Sequence, residues 1–371
     1  MEPRTLVIRS AADRALAHSR HGLWPVLLLA LLLVALAMTL SRAALAAERH
    51  SISGDRIAIY NLAGTIEVTA GSGPDVIVEL SRGGRDGARL RVETGSIRGR
   101  STLRVIYPGG HVVYPRAQGG SSRIGVNSDG TFGDRGSGWL SHPVTVSSAG
   151  GGTEAWADLR ILVPAGRTLE VRLGVGEMTA QGLECSLLLD SHSGPVHAHR
   201  IRGPLSVDTG SGSVDVGDIE GDLSVDTGSG GVGMENVRGQ HVSIDTGSGE
   251  VEGRGVKAQE LKVDTGSGHV SLEDVRAPRV HVDTGSGGVL LGLAEDVEDV
   301  LIDTGSGGVT MRVPEALGAE LDVDAGSGGV DSEIPLNSIH RDDGELRGRI
   351  GDGRGRILID TGSGGVKLIK G

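Results

Sequence analysis

The five-residue motif Asp-Thr-Gly-Ser-Gly most constrains how this chain can fold, because it recurs at a nearly constant interval. Its aspartates are Asp208, Asp226, Asp245, Asp264, Asp283, Asp303 and Asp360. A variant begins at Asp324 and a weaker one at Asp190. Successive spacings from Asp190 onward are 18, 18, 19, 19, 19, 20, 21 and 36 residues. A period close to 19 indicates one supersecondary unit stacked many times.

Apolar residues share this period. A valine stands six residues after every full-motif or variant aspartate: Val214, Val232, Val251, Val270, Val289, Val309, Val330 and Val366. Apolar, mostly β-branched residues also stand three residues and one residue before it, so the local period is two. Each unit therefore reads as a strand, a Gly-rich corner, a strand and a second corner. We predict an all-β protein, a single parallel β-solenoid with about 19 residues per coil and coils about 4.8 Å apart.

The same alternation predicts side-chain directions at the corner. The motif aspartate should point outward and the threonine inward. We expect the aspartate to accept backbone N–H bonds from the turn that it begins, and the glycines to adopt positive φ angles. Calcium held between stacked carboxylates is the alternative for the aspartates, although the chain lacks the nonapeptide of calcium-binding repeats. We predict no cofactor and no metal.

The N-terminal segment has the features of an export signal. Residues 23–40 are an apolar run, four arginines precede it, and Ala44-Leu45-Ala46 has the pattern that signal peptidase reads. Residues 1–47 are predicted to be a signal peptide or, because the run is just long enough to span a bilayer, an uncleaved membrane anchor. Either way the remainder is exported.

The exported part is acidic and has one cysteine. Without residues 1–47 the charge is 31 − 46 = −15, which disfavours binding to nucleic acid and leaves the N-terminal segment as the expected membrane contact. Cys185 is the only cysteine, so no intramolecular disulfide can form. We interpret Cys185 as a residue of a buried strand.

The remaining chain divides into three parts by composition. Residues 48–108 alternate and are predicted to be N-terminal β coils, residues 109–155 a Gly-rich loop insertion, and residues 156–371 the regular solenoid. Five aromatic residues at or beside the loop are the candidate binding residues: Tyr107, Tyr114, Phe132, Trp139 and Trp156. Packing of the loop onto the solenoid, or disorder, is the alternative. The step from Asp324 to Asp360 is expected to hold a solvated excursion, and the last coil to form an exposed end.

Sequence motifs of enzymes are not found. The chain has no Gly-x-Ser-x-Gly elbow, phosphate-binding loop or HExxH motif. His192, His197 and His199 are close in sequence, and we interpret them as surface residues, with a weak metal site as the alternative. Glycan-cleaving β-helices need paired carboxylates and usually aromatic platforms, whereas residues 157–371 contain no aromatic residue. We predict that the protein is not an enzyme.

Three segments resemble one known family. The Asn-x-x-Gly-x-Ile-x-Val pattern of residues 61–68, the Val-Pro-Ala-Gly of residues 163–166 and the repeated coils resemble the toastrack-related bacterial "putative adhesin" β-strand-repeat family of unknown function. The resemblance implies a right-handed β-solenoid in the bacterial cell envelope and brings no catalytic residues. The segment 109–155 departs from the compact form of the family.

These observations lead to one main functional hypothesis and two alternatives. The main one is a non-catalytic, adhesin-like interaction or structural protein of the cell envelope, whose partner is a protein or a glycan. The first alternative is the extracytoplasmic module of a membrane-stress signalling system, tethered by an uncleaved N-terminal helix. The second is a glycan-active β-helix enzyme.

Overall fold

The computed structural model describes residues 47–118, 120–133 and 141–371. These ranges contain β-strands, one 3-10 turn at Gly87–Arg89 and no α-helix, so the predicted all-β class is confirmed. No helix in the same ranges is long and apolar enough to cross a membrane. The predicted export signal and Trp139 lie outside the described residues.

The strands are short and follow one another closely. Before the regular repeats they are β1 (Glu48–Ile52), β2 (Arg56–Ala63), β3 (Ile66–Ala70), β4 (Val76–Gly83), β5 (Arg91–Ile97), β6 (Arg100–Ile106), β7 (His111–Val113), β8 (Ser121–Val126), β9 (His142–Ser147), β10 (Thr153–Glu154) and β11 (Trp156–Val163). The next are β12 (Thr168–Val175), β13 (Met178–Glu184), β14 (Ser186–Ser193), β15 (Val196–Arg202), β16 (Leu205–Ser211), β17 (Val214–Glu220), β18 (Leu223–Thr227), β19 (Val232–Arg238), β20 (His241–Thr246), β21 (Val251–Arg254), β22 (Glu260–Thr265) and β23 (Val270–Val275). The last are β24 (Arg279–Thr284), β25 (Val289–Leu293), β26 (Asp299–Thr304), β27 (Val309–Val313), β28 (Ala319–Asp324), β29 (Val330–Ser332), β30 (Asn337–Asp342), β31 (Glu345–Ile350), β32 (Gly355–Thr361) and β33 (Val366–Lys370).

Two long sheets enclose one continuous hydrophobic core. Sheet I has 14 strands and sheet II has 15. A coil consists of a sheet II strand, the motif corner and a sheet I strand, for example β16 and β17. Neighbouring coils pair in parallel and in register, so that Val207 lies beside Val225 and Val214 beside Val232. The inward valines and leucines are buried in one cluster that runs from β1 to β33, which confirms the predicted parallel β-solenoid.

The coils do not stack in sequence order at either end. In space they follow the order β6/β11, β2/β3, β12/β13 and onward in sequence to β26/β27, then β32/β33 and finally β28/β29. At one end, β6 and β11 stack outside β2 and β3, which precede them in the chain. At the other end, β32 and β33 lie between β26/β27 and β28/β29. The expectation that the last coil forms an exposed end is therefore wrong.

Antiparallel strands cover both ends of the solenoid. Strands β4 and β1 continue sheet I beyond β11, and β5 continues sheet II beyond β6. At the far end β31 pairs with β28, and β30 pairs with β31. Arg347 and Arg349 of β31 form ion pairs with Asp322 and Glu320 of β28 at 2.9 and 2.6 Å. The predicted solvated excursion is thus a paired hairpin that caps sheet II.

The motif threonines form a buried column that joins successive coils. As predicted, these side chains point inward, and each is at most 1% exposed. Thr265 Oγ1 accepts a hydrogen bond from Gly268 N at 3.0 Å and donates one to Gly249 O of the preceding coil at 3.3 Å. The same pair of bonds recurs at Thr246, Thr284, Thr304 and Thr361. At these five threonines the hydroxyl therefore closes its own corner and joins it to the preceding coil in the stack.

The motif glycines are required by close backbone approach. The expectation of positive φ holds at Gly326 of the variant, and no glycine of the seven full motifs shows it. Instead, a Cβ on Gly268 would lie 1.8 Å from Gly249 O. The expected aspartate turn is found in the variant, where Asp324 Oδ1 accepts from Gly326 N at 2.9 Å. In six of the seven full motifs the threonine hydroxyl closes the turn instead, whereas the buried Thr209 Oγ1 has no hydrogen-bond partner among the described residues. Close stacking of the corners, and not left-handed backbone, is therefore what requires glycine in the full motifs.

Candidate functional site

The segment predicted as a long loop is a folded sheet. Strands β7, β8, β9 and β10 form sheet III, with the strand order β10-β7-β9-β8. This sheet occupies the corner between β6 and β11, where other coils carry the motif. It packs on the outer face of β2, whose Ala58, Tyr60 and Leu62 join Val112, Ile124 and Val146 of sheet III in a second hydrophobic cluster. The insertion is therefore part of the folded body, and β8 is one of its two edge strands.

The candidate binding aromatics that the structure describes lie mainly in this packing layer. Tyr114 is 1% and Phe132 4% exposed, and the Phe132 ring contacts Tyr60 edge-on at a centroid distance of 5.8 Å. Their prediction as contact residues is corrected, because burial in the second cluster leaves them no accessible ring face. In the structure both rings pack inside the second cluster, which was the alternative interpretation of these residues.

Tyr107 holds the base of the insertion through its hydroxyl group. The oxygen lies 2.8 Å from Asn61 Oδ1 and 2.7 Å from Ala63 O. Asn61 Nδ2 donates to Ala157 O at 2.7 Å, which joins β2 to β11. Burial is the main cause that raises the pKa of Tyr107 above its ordinary value. Tyr107 therefore has a structural role at the base of the insertion; it is partly exposed, and its role as a contact residue stays a prediction.

Trp156 belongs to a stacked cluster beside the insertion. It is half-buried, and its ring lies 5.8 Å from that of Tyr114. The Arg116 guanidinium lies 5.3 Å from the Tyr114 ring centroid and 5.5 Å from that of Trp156. Arg116 Nη2 also donates to both carboxylate oxygens of Asp158 at 2.9 and 2.8 Å. These contacts pin the connection that follows β7 against the solenoid.

A buried charge network lies beneath the second part of the insertion. Arg172 pairs with Asp190 of the next coil and lies 3.7 Å from Glu170, which also pairs with Arg100. The arginine side chains are 9% exposed and the carboxylates 17%. Gly133 lies so close that a Cβ there would be 2.7 Å from Arg172 Nη1. The insertion therefore covers a paired, largely desolvated cluster on the outer face of sheet II.

A polar groove runs between the edge strand β8 and the neighbouring corners of the solenoid. We call it the corner groove; it has a volume of about 600 Å³, and its lining comprises Gln118, Ser121, Ser122, Arg123, His192, Ser193, Gly194, Pro195, Ser211, Gly212 and Ser213. A smaller hollow of about 250 Å³ adjoins it and shares Gln118 and residues 193–195 with it. Volumes of this size are typical of small-ligand sites.

The floor of the corner groove is rigid. A Cβ on Gly194 would lie 1.8 Å from Gly176 O, and one on Gly212 would lie 1.9 Å from Gly194 O, so these corners stack with no spare room. Ser211 Oγ lies 3.4 Å from Ser193 Oγ across two coils. Partial burial lowers the pKa of His192, although much of its ring stays exposed, and a neutral imidazole can both donate and accept. The lining thus offers fixed hydrogen-bonding groups.

These groove residues were missed in the sequence. Their serines and glycines coincide with the repeat and were interpreted only as corner residues. One signal was present: residues 57–60 and 62–63 of β2 are almost continuously apolar, which is typical of a strand buried on both faces. Such a strand needs a covering element, and the insertion 109–155 was the available one.

The motif aspartates form a second ordered feature, a column along one corner of the solenoid. They point outward, as predicted, and pair in register from Asp208 to Asp303, then Asp360 and Asp324. Desolvation, followed by repulsion from Asp264 and Asp226, raises the pKa of Asp245. Desolvation, Asp303 and Asp324 do the same for Asp360. Ionisation of Asp245 and of Asp360 therefore opposes folding.

We expect Asp245→Asn to raise the urea midpoint at pH 7. Because the pKa of Asp245 is higher in the folded state, the wild type gains stability as the pH falls toward the ordinary value of 3.8, and the difference between the two proteins should shrink. Asp222→Asn is the control of opposite sign. N–H donation from His241 and Gln240 lowers the Asp222 pKa, so this carboxylate stabilises the fold at pH 7 and loses that effect on acidification. Equal responses of both variants would contradict this account.

The remaining chemistry-bearing residues are dispersed. His197 and His199 lie on the outer face of β15, and their ring nitrogens are 3.5 and 3.1 Å from Asp215 Oδ2. In the described ranges no group of three or more histidine, cysteine or acidic residues is placed to hold a metal ion. Cys185 is buried, as interpreted, but it lies in the bend between β13 and β14 and not within a strand. Desolvation raises its pKa to about 11.

The fold defines an all-β repeat protein: a capped, two-sheeted parallel solenoid with a third sheet inserted at one corner. The sequence profile of the Toastrack DUF4097 family matches residues 157–369, more than half of the 371 residues. The chain belongs to this family, as the sequence resemblance predicted. Among curated proteins, none matches the sequence.

Among solved structures, one match is a "putative cell adhesion protein" from Clostridium sporogenes ATCC 15579. It is 8% identical, with 87% of this chain and 98% of that chain covered, and the TM-score is 0.21. At that score the likeness supports no argument about function.

Proposed function

We propose that this protein is a non-catalytic, adhesin-like interaction module of the bacterial cell envelope, in which a rigid solenoid presents the corner groove to a partner. The groove carries the proposal. Sheet III and two stacked corners bring hydroxyl, amide, imidazole and guanidinium groups around a volume of about 600 Å³. The coils beyond the groove supply a long, stiff body that sets its position.

Export is supported by the sequence before the solenoid. The apolar run of residues 23–40, the arginines before it and the small-residue pattern at residues 44–46 have the order of an export signal. The first strand, β1, begins at Glu48, directly after this segment. All the strands described above would therefore lie outside the cytoplasm.

A binding role rather than catalysis is supported by the chemistry of the site. Ionisable side chains in the groove lining are limited to Arg123 and His192, so the paired carboxylates of glycan hydrolysis are missing from it. The sole thiol, Cys185, is buried in the solenoid core and is held in its protonated form by desolvation.

Cell fractionation with intact-mass measurement tests the envelope location. We expect the solenoid to be degraded by protease added outside the cytoplasmic membrane, and recovery of a protected chain in the cytoplasm would refute the proposal. The intact mass distinguishes a cleaved signal peptide from an uncleaved membrane anchor. A chain that starts near Glu48 supports the adhesin-like module. A full-length chain held in the inner membrane supports the membrane-stress module instead.

A further inference from the structure

Arg123 gives the corner groove its charge. It lies on the edge strand β8. Because successive side chains of a strand point to opposite faces, Arg123 points away from the face on which Ile124 is buried in the second hydrophobic cluster. Arg123 is exposed and forms no salt bridge or hydrogen bond with any residue that the structure describes. No carboxylate belongs to the groove lining. In a body with a charge of −15 this is a local site for one negative group.

The rest of the lining suits a carbohydrate. Five serines surround the groove, namely Ser121, Ser122, Ser193, Ser211 and Ser213, and Gln118 adds an amide. A hydroxyl both donates and accepts a hydrogen bond, which matches the dual character of sugar hydroxyls. The only apolar side chain of the lining is that of Pro195, so the groove offers no pocket for the aromatic or aliphatic anchors of a peptide.

The charges around the groove restrict the ligand further. The aspartate column starts at Asp208, three residues before Ser211, and disfavours a ligand with densely spaced carboxylates. We propose that the corner groove binds an acidic oligosaccharide in which carboxylates alternate with neutral sugar units, with one carboxylate paired with Arg123 and the neutral units held by the serines. This inference rests on the proposed function and specifies its partner as an acidic glycan.

Calorimetric titration of the full chain with a tetrasaccharide of alternating glucuronate and N-acetylglucosamine tests the inference. We expect saturable binding, and at least tenfold weaker binding by Arg123→Gln, because a charge-assisted hydrogen bond contributes about 1.5–3 kcal/mol. The methyl ester of the same tetrasaccharide, which keeps the hydroxyls and loses the charge, should bind the wild type as weakly as the acid binds the variant.

Arg312→Gln is the matched control, because Arg312 is an exposed arginine of β27, remote in the stack from the corner groove. It should bind the tetrasaccharide like the wild type, and both variants should keep the wild-type urea midpoint. Equal losses of affinity in Arg123→Gln and Arg312→Gln would overturn the inference. Equal affinities of the wild type for the acid and for its methyl ester would also overturn it.

Two further results would also reject it. One is the absence of binding to the tetrasaccharide, and the other is binding of vesicles of anionic phospholipid at the groove in its place. The outcome is separable from that of the proposed function. A chain that is accessible outside the cytoplasm and ignores the sugar refutes the acidic glycan alone, whereas a cytoplasmic chain refutes the envelope module.

Discussion

Replacing Gly268 by alanine should lower the free energy of unfolding by about 3 kcal/mol, at the upper end of what overpacking costs. The new Cβ would lie 1.8 Å from Gly249 O and 2.9 Å from Thr265 Oγ1. The obstacle is backbone held by inter-coil hydrogen bonds, so it cannot move aside as a side chain would. The coils would have to separate locally, which breaks the bond from the Thr265 hydroxyl to Gly249 O of the preceding coil.

Gly233→Ala is the matched control for this prediction. Gly233 lies within strand β19, and its added Cβ would first meet Asp215 Oδ1 at 3.5 Å, an ordinary contact. Urea unfolding followed by circular dichroism should show a large midpoint decrease for Gly268→Ala and little change for Gly233→Ala. Similar urea midpoints for the two variants would contradict the prediction, because they would show that the corner at Gly268 can accept a Cβ atom.

Removal of the Arg172 side chain should have the second large effect. In Arg172→Met, Asp190 and Glu170 lose a cation while they remain 17% exposed, and breaking a buried ion pair on one side costs about 3–5 kcal/mol. Because Gly133 lies against Arg172 and Asp190, the insertion should also loosen. Limited proteolysis should then cut within residues 109–155 sooner than in the wild type.

Arg202→Met provides the comparison on the opposite sheet. Arg202 also bridges two carboxylates of neighbouring coils, Glu184 and Glu220, at 3.0 and 3.1 Å, but its side chain is 65% exposed. Solvent screens these pairs, so the unfolding midpoint should change little. Adding Asp190→Asn to Arg172→Met should recover part of the lost stability, because it removes a carboxylate that has lost its ion pair with Arg172. If the double variant recovers no stability, the loss in Arg172→Met comes from lost packing and not from the loss of the positive charge.

The solenoid itself could be read from the sequence because its determinants are local. The valine six residues after each motif aspartate and the alternation before it specify which side chains face the core, and the register pairs of Val214 with Val232 follow directly. The inward threonines were also predictable from alternation. Their bonds to the preceding coil were not, since these depend on the distance between corners.

The stacking order could not be read in the same way. The coils at Asp303, Asp324 and Asp360 present nearly the same inward residues, so each could stack on either of the others. The 36-residue step marked an interruption, but only the three-dimensional pairing places β32 between β26 and β28. The corner groove was hidden for a related reason, because Arg123 and Ser211 are far apart in sequence and meet only when sheet III docks.

The second corner of the coil shows a signal that sequence reasoning could have used. Left-handed backbone recurs there in a column, at Gly182, Arg200, Asp218, Asn236, Gly255 and Asp274, with φ between 54° and 69°. Glycine, asparagine and aspartate tolerate this conformation best, and five of these six residues are of those types. Their recurrence at the coil period marks where sheet I strands bend toward the next coil.

The interleaved ends restrict how the protein can change length during evolution. Between β12/β13 and β26/β27, neighbours in space are also neighbours in sequence, so duplication or deletion of one 19-residue unit there keeps every remaining contact. At either end of the solenoid, strands that pair are not neighbours in sequence, so duplication or deletion of a unit there would separate paired strands. Related chains should therefore differ in the number of central units, each of which moves the corner groove about 4.8 Å relative to the opposite cap.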